Sequence, residues 1–407
     1  MSGMALHRGN RRWPAGLLLI LLAAIFIWIG RRPGPVPPTP EDVAAPPVAA
    51  PVLEAVIPPA RPEPPPATFP SDETRAGEIL VKSVPQPPLR FAFPTDNIAL
   101  LNAQPERFFM FVDRYTPAGQ VQVWQAGGYG FVRNPRETAQ GTVFTKFHEG
   151  IDIAPTARDD KGEPLDEVRA IADGTVGYVT AAPRTSNYGN YIVVLHRIGA
   201  AGVFYSLYAH LKSMAVAVGD PVRLGLKIGM LGYTGDGIDR RRSHLHLEIG
   251  LILSERFDVH YGKSTGLANG HGNYHGSNLI GLNAGAFLTA NHGDTQLMPD
   301  AFLRQQEVYY KVLVPNRGSE LELVQRYPWL RSPGPAEAAW ELSFTASGVP
   351  VGVAPSAQLV GFSSVSWVKP FEGYHSWNTR SLLGGSGNTA TLTAEGSRFV
   401  TLVAGDF

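Results

Sequence analysis

A mainly β body built from antiparallel strands is what this 407-residue chain specifies, and three observations carry that expectation. Between Gly127 and about Leu253, short β-rich runs such as "GTVGYVTAA", "NYIVVLHRI", "GVFYSLYAHL" and "KIGMLGYT" alternate with glycine turns. "SHLHLEIG" alternates strictly, so His244, His246 and Glu248 share one face of a strand while Leu245, Leu247 and Ile249 share the other. No helical period of any length interrupts this region.

Composition narrows the functional classes. Lys plus Arg and Asp plus Glu are equal at 35 each, so no field of one sign exists to attract nucleic acid. With no cysteine, disulfides, thiol chemistry and cysteine-ligated zinc are excluded, and histidine and carboxylate are the ligands that remain. Hydrophobic residues make up 44% of the chain, ample for a large core.

In chain order, residues 1–32 read as a signal anchor. A leader with Arg8, Arg11 and Arg12 precedes an apolar run from Pro14 to Gly30, and Arg31 and Arg32 follow without a small-residue cleavage site. A short leader left inside makes a single-pass protein of the cytoplasmic membrane, with its body on the periplasmic or extracellular side. Residues 33–72 are proline-dense and predict an extended, semi-rigid spacer. Residues 73–126 form a lead-in, in which "DETRAGEILVKSV" predicts one short helix. The domain that carries the chemistry runs over 127–295, and residues 300–407 read as a smaller C-terminal β-rich domain.

The stretch "FHEGIDIAP" places His148 four residues before Asp152. A flat strand rising about 3.3 Å per residue would hold them about 13 Å apart, so the chain must bend at Gly150 if they are to share a ligand. In "VFYSLYAHL", alternation groups Phe204, Ser206, Tyr208 and His210 on one face. Taken alone, each histidine is ordinary.

Together, and with "GGYGFVRNP" before them, these motifs resemble the LytM-type, lysostaphin-like zinc endopeptidases of peptidoglycan. The stretch Gly127 to Glu248 has that family's order: Tyr-Gly-x-x-Arg, His-x-x-x-Asp, "ADGTVGYV", "YGNYIVVLH", "YAHL", "VAVGDPVRLGLKIGMLGYTG" and His-x-His. The resemblance implies an antiparallel β metallopeptidase core in which His148, Asp152 and His246 bind Zn2+ and His210 and His244 are catalytic without binding it. It also implies the stem peptides of peptidoglycan as partner. Two imidazoles and a carboxylate would leave a tetrahedral zinc one open position.

Other residues are read less specifically. Glu248 either orients a ligand or is a solvated strand-end carboxylate; His196 is taken for a hairpin residue; His271 and His275 of "HGNYHG" belong to a glycine-rich polar loop. Arg240, Arg241 and Arg242 either pair with stem-peptide carboxylates or form a solvated loop. The long segment after "HLHLEIG" is expected to wall the groove. The leading function is a membrane-tethered zinc endopeptidase that cuts peptide cross-links in the cell wall. Its rivals are a non-hydrolytic LytM-like module that binds peptidoglycan or activates an amidase, and an endopeptidase acting on a protein. Retention of all three ligands and both further histidines favours the enzyme.

Overall fold

The computed structural model describes residues 89–116, 119–139, 141–184 and 186–407. The anchor, the proline spacer and the short lead-in helix expected from sequence lie outside these residues. Among the described residues no helix is long and apolar enough to cross a membrane.

Two hairpins come first: β1 (Val112–Thr116) with β2 (Gly119–Val123), then β3 (Gly130–Thr138) with β4 (Gly141–His148). The main sheet takes β5 (Ile151–Ile153) and, after the small strand β6 (Glu167–Arg169), β7 (Gly174–Thr180), β8 (Tyr191–Arg197) and β9 (Val203–Ala209). Strands β10 (Ser213–Met214), β11 (Pro221–Val222), β12 (Lys227–Met230), β13 (Leu245–Ile252) and β14 (Leu279–Gly281) follow. Seven of these form the sheet β11-β7-β8-β9-β13-β14, with β5 on the same edge of β13 as β14, and every pairing is antiparallel. Strands β10, β12 and β6 make a separate three-stranded sheet.

The central strands are buried on both faces, which is why "YIVVLH" is an unbroken apolar run instead of an alternating one. Leu245, Leu247, Ile249 and Leu251 face the larger core with Ile192, Val194, Phe204 and Tyr208. The opposite face carries His246 and Glu248 beside a smaller cluster of Tyr191, Val193, Tyr205, Leu207 and Ala209. A slip of one residue along β13 would push both polar side chains into the large core and expose four aliphatic ones. Each of those contributes about 1.5–3 kcal/mol by burial, so the register is strongly held.

The C-terminal part contains β15 (Tyr310–Pro315), β16 (Ala339–Phe344), β17 (Pro350–Ser356) and β18 (Ser364–Val368) in the order β17-β16-β15-β18. A smaller sheet of β19 (Phe371–Tyr374), β20 (Leu383–Gly387) and β21 (Thr389–Leu392) follows. Its apolar residues join those of the main sheet in one core that runs from Phe108 to Val403. One expectation fails here: "AEGSRFVTLVA", read as part of a β-rich run, is a helix, Ala394–Ala404. The Thr393 hydroxyl accepts from the Gly396 amide at its start, Gly405 ends it in a left-handed conformation, and the buried Gly396, Val400 and Val403 recur at helical spacing.

His196 is in the β8–β9 hairpin, as expected, opposite Phe204 of β9, but its side chain is away from solvent. It lies in β8, fully buried, with Nδ1 2.8 Å from the Asp173 carbonyl and Nε2 2.7 Å from Ser206 Oγ. Burial holds its pKa down to about 4, from 6.5. The unfolded chain therefore binds a proton that the folded chain refuses, and stability falls as pH drops from 6.5 towards 4, by about 1.4 kcal/mol per pH unit for this one group. Denaturant unfolding of His196→Gln across that window is expected to show a shallower acid slope, by about one proton, than the parent chain.

Candidate metal centre

The sheet register builds the site. His246 of β13 lies directly opposite Asp152 of β5 on one side and Ala209 of β9 on the other, so the imidazole and the carboxylate share a face as a cross-strand pair. His148, the last residue of β4, arrives through the expected bend at Gly150. A Cβ at Gly150 would sit 2.4 Å from the Leu247 carbonyl oxygen and 2.8 Å from His246 Nε2, so only glycine lets the loop lie against β13.

Three donor atoms converge. His148 Nε2 is 3.1 Å from Asp152 Oδ1 and 3.2 Å from His246 Nδ1, and His246 Nδ1 is 3.0 Å from Asp152 Oδ1. A tetrahedral zinc with bonds of about 2.0–2.1 Å has ligand–ligand edges of about 3.3–3.4 Å, so the triangle matches one face of such a tetrahedron. These three residues, all buried, are the one group among the described residues able to hold a metal in this way.

Each ligand is held from behind. His148 Nδ1–H donates to the Gly128 carbonyl at 2.7 Å, which leaves Nε2 free for the metal. Arg133 donates to Asp152 Oδ2 at 2.7 Å and leaves Oδ1 for the site. His246 Nε2–H donates to Glu248 Oε1 at 3.0 Å, and Glu248 in turn accepts from Tyr188 at 2.6 Å and Tyr205 at 2.8 Å. Glu248 is 1% exposed, so the solvated reading is excluded and it is the residue that orients His246.

Electrostatics follow from burial. Desolvation alone would raise Asp152, but His148 and His244 hold it well below the carboxylate range. His246 is pushed up to about 10: burial opposes its charge, and the carboxylates of Asp152 and Glu248 outweigh that opposition. Without metal, a proton on His246 therefore competes for the Nδ1 position that a metal would take.

His210 reaches the site by a route that alternation missed. Regular pleating would place it with Tyr208, whose hydroxyl instead accepts from the Ile171 amide in the large core. His210 follows β9 with φ 64°, a left-handed conformation that turns its ring to the metal face. Its ring centroid lies 4.8 Å from that of His244 and 5.7 Å from that of His246. Nδ1–H donates to the Thr234 carbonyl at 2.8 Å, and burial first, then the neighbouring His244 and His246, holds its pKa well below the usual value. His244 Nδ1–H donates to the Arg242 carbonyl at 2.6 Å, and its Nε2 lies 3.4 Å from Asp152 Oδ1.

The site opens into a cleft of about 670 Å3. Its walls include β1, the facing parts of β3 and β4, and the loops at 187–188 and 236–238. The segment 254–278, expected to form a wall, contributes no lining residue; it roofs the same sheet face further on, where Tyr274 packs on Tyr178 and Gly276 lies close to Tyr188. The arginine run is engaged within the chain. Arg241 pairs with Asp113 and covers the Phe111 ring, Arg242 donates to the Phe111 carbonyl, and Arg240 is 3.7 Å from Glu163. Arg240 and Arg241 are exposed, Arg242 lines the cleft, and Arg241 and Arg242 also tie the first hairpin to the loop before β13. His271 bonds to the Tyr178 and Tyr191 hydroxyls, each at 3.0 Å, in a structural loop.

A buried His–Asp–His triangle at the floor of an open cleft, with two further histidines beside it, defines a metallohydrolase-type centre. Residues 146–258 match the model of peptidase family M23. The chain is 34% identical over 118 residues to an uncharacterized metalloprotease of Buchnera aphidicola subsp. Baizongia pistaciae, a match covering 29% of this chain and 27% of that relative. It therefore spans about a quarter of the relative's length. Among solved structures, the lysostaphin catalytic domain of Staphylococcus simulans aligns at 24% identity over 37% of this chain and 83% of that one, TM-score 0.22. A zinc-containing peptidase of Vibrio cholerae aligns at 23% identity over 40% and 37%, TM-score 0.25.

Alanine at His148, Asp152 or His246 is expected to abolish stoichiometric metal binding, whereas His210→Ala and His244→Ala keep it, as read by metal analysis after dialysis. Glu248→Gln is expected to weaken binding about 10- to 100-fold. Metal binding near pH 7 should also release a proton from His246, so calorimetry in two buffers of different ionisation enthalpy should give different apparent heats.

Proposed function

We propose that this chain is a zinc-dependent endopeptidase that hydrolyses peptide cross-links of peptidoglycan, working outside the cytoplasmic membrane at the end of an N-terminal anchor and spacer. The observation that carries the reading is the ligand triangle with two histidines left over, set in the floor of an open cleft. The match of residues 146–258 to a peptidase family supports the reaction class. The complete set of five residues weighs against a non-hydrolytic binding or amidase-activating module.

Zinc held by His148, Asp152 and His246 would supply Lewis acidity to the scissile carbonyl and to the attacking water. The chain's own residues handle the protons. His210 is neutral at pH 7, and with Nδ1–H committed to Thr234 its Nε2 lone pair is free to accept the proton that water loses. His244, held by Arg242 in the same tautomer, presents an Nε2 lone pair beside the reacting bond, and the proton that His210 takes from the water is the one that can return to the departing amine.

Beside Arg242, which also lines the cleft and donates to the Phe111 carbonyl, Lys146 is a candidate for a stem-peptide carboxylate. It lines the cleft two residues before His148, is exposed, and forms no ion pair among the described residues. An exposed contact of this kind is worth at most about 1 kcal/mol, so Lys146→Ala is expected to raise KM by up to about fivefold with kcat little changed.

The test is digestion of purified cross-linked peptidoglycan by the zinc-loaded chain, with products read by mass spectrometry. Monomeric stem peptides on intact glycan strands are expected. Shortened glycans, stem peptides freed from the lactyl group, or no products at all would reject the reading.

A further inference from the structure

The C-terminal part reaches the metal centre through His148, the ligand that ends β4. Arg380, in the turn between β19 and β20, stands with its guanidinium 5.4 Å from the centroid of Phe147 and 4.0 Å from Glu149 Oε1, the residues on either side of His148. A second contact reaches the carbonyl that His148 leans on. Tyr129 follows Gly128 directly, and its hydroxyl, which donates to the Gly281 carbonyl at 2.8 Å, lies 3.3 Å from Ser347 Oγ of the C-terminal part. Phe147 completes the link by packing edge-on against Tyr129 at 5.1 Å.

The backbone at Arg380 departs from ordinary geometry. Arg380 and Ser381 are consecutive non-glycine residues with φ 54° and 60°. Such conformations cost free energy and persist where the surroundings impose them. Here the strain aims one side chain away from its own sheet and onto the ligand loop. A neighbouring contact of the same kind, Arg136 over the Trp377 ring at 5.3 Å, joins the same two parts of the chain without touching either flank of His148.

We propose that Arg380 is a positioning residue for the metal ligand His148, and that the C-terminal part thereby sets the metal affinity of the peptidase domain. The inference rests on the metal-site reading above and not on the substrate. Phe147 and Glu149 define the direction in which His148 leaves β4. With Arg380 across both, His148 Nε2 is kept near Asp152 and His246 before metal arrives. Removing Arg380 leaves every donor atom present and lets the first ligand wander.

The test uses the full chain. Zinc affinity is measured by competition with a chromophoric chelator at a temperature where circular dichroism shows each apo variant folded. Apo melting temperatures are taken in parallel. Arg380→Ala is expected to bind zinc about tenfold more weakly than the parent. Arg380→Met, which keeps the stem over Phe147 and removes the charge, covers the case in which alanine prevents folding and is expected to weaken binding in the same direction. Arg136→Ala is expected to stay within twofold of the parent, whatever it does to the melting temperature. Parent-like affinity in the folded Arg380 variants would overturn the proposal, as would an equal loss in Arg136→Ala, which would make the effect one of general docking. Failure of the parent chain itself to bind zinc would instead reject the metal-site reading.

Discussion

The pairing of His246 with Asp152 across β13 and β5 is the constraint on which the rest depends. It is a cross-strand pair, so its geometry is set by backbone ladders and not by flexible side chains. Once β13 is in register with β9 and β5, the aliphatic face of Leu245, Leu247, Ile249 and Leu251 is sealed in the large core and the polar face has no alternative position. The carboxylate of Asp152 then stands in buried surroundings and collects Arg133 on one oxygen and three imidazoles around the other. Leaving any of these without a partner would cost far more than a surface ion pair, which is why each has a second hydrogen bond behind it.

That arrangement has a thermodynamic side. Histidines that burial keeps from protonating and carboxylates kept ionised in the same small volume are a liability to the apo fold. Glu248 illustrates the compensation: a fully buried carboxylate is tolerable because two tyrosine hydroxyls and an imidazole surround it, and the insertion at 254–278 shuts water out above them. The insertion thus serves the metal indirectly, by keeping Glu248 dry and aimed at His246, and leaves the cleft itself to the two N-terminal hairpins and the loops at 187–188 and 236–238.

The elements around the peptidase core divide the remaining work. The lead-in extends the sheet edge, with Met110 donating to the Asp152 carbonyl and Ala154 to that of Phe108, and then supplies β1 as a cleft wall tied to the catalytic strand through Arg241 and Arg242. The C-terminal part contributes no cleft residue, yet its apolar side chains are continuous with the main core and its Arg380 stands against the loop of His148. A ligand set that spans residues 148 to 246 is in this way braced by chain lying on both sides of it in sequence.

The grouping of the five residues rested on the resemblance of the ordered motifs to a known family; local pattern was enough for the antiparallel β character, for the two faces of β13 and for the bend at Gly150, because strand alternation and turn chemistry are properties of neighbours along the chain. It failed where a residue's surroundings are supplied from far away. Glu248 could be read in sequence as a solvated strand-end carboxylate and is buried by Tyr205 and Tyr188, 43 and 60 residues away, and the hairpin residue His196 is held by the Asp173 carbonyl 23 residues away. His210 breaks alternation through one left-handed residue that no composition signals, and Thr393 with Gly405 makes a helix from residues that also suit a strand. Whether Arg240, Arg241 and Arg242 meet substrate, solvent or the chain itself is a matter of what lies opposite them, and only the folded position of Asp113, Phe111 and Glu163 decides it.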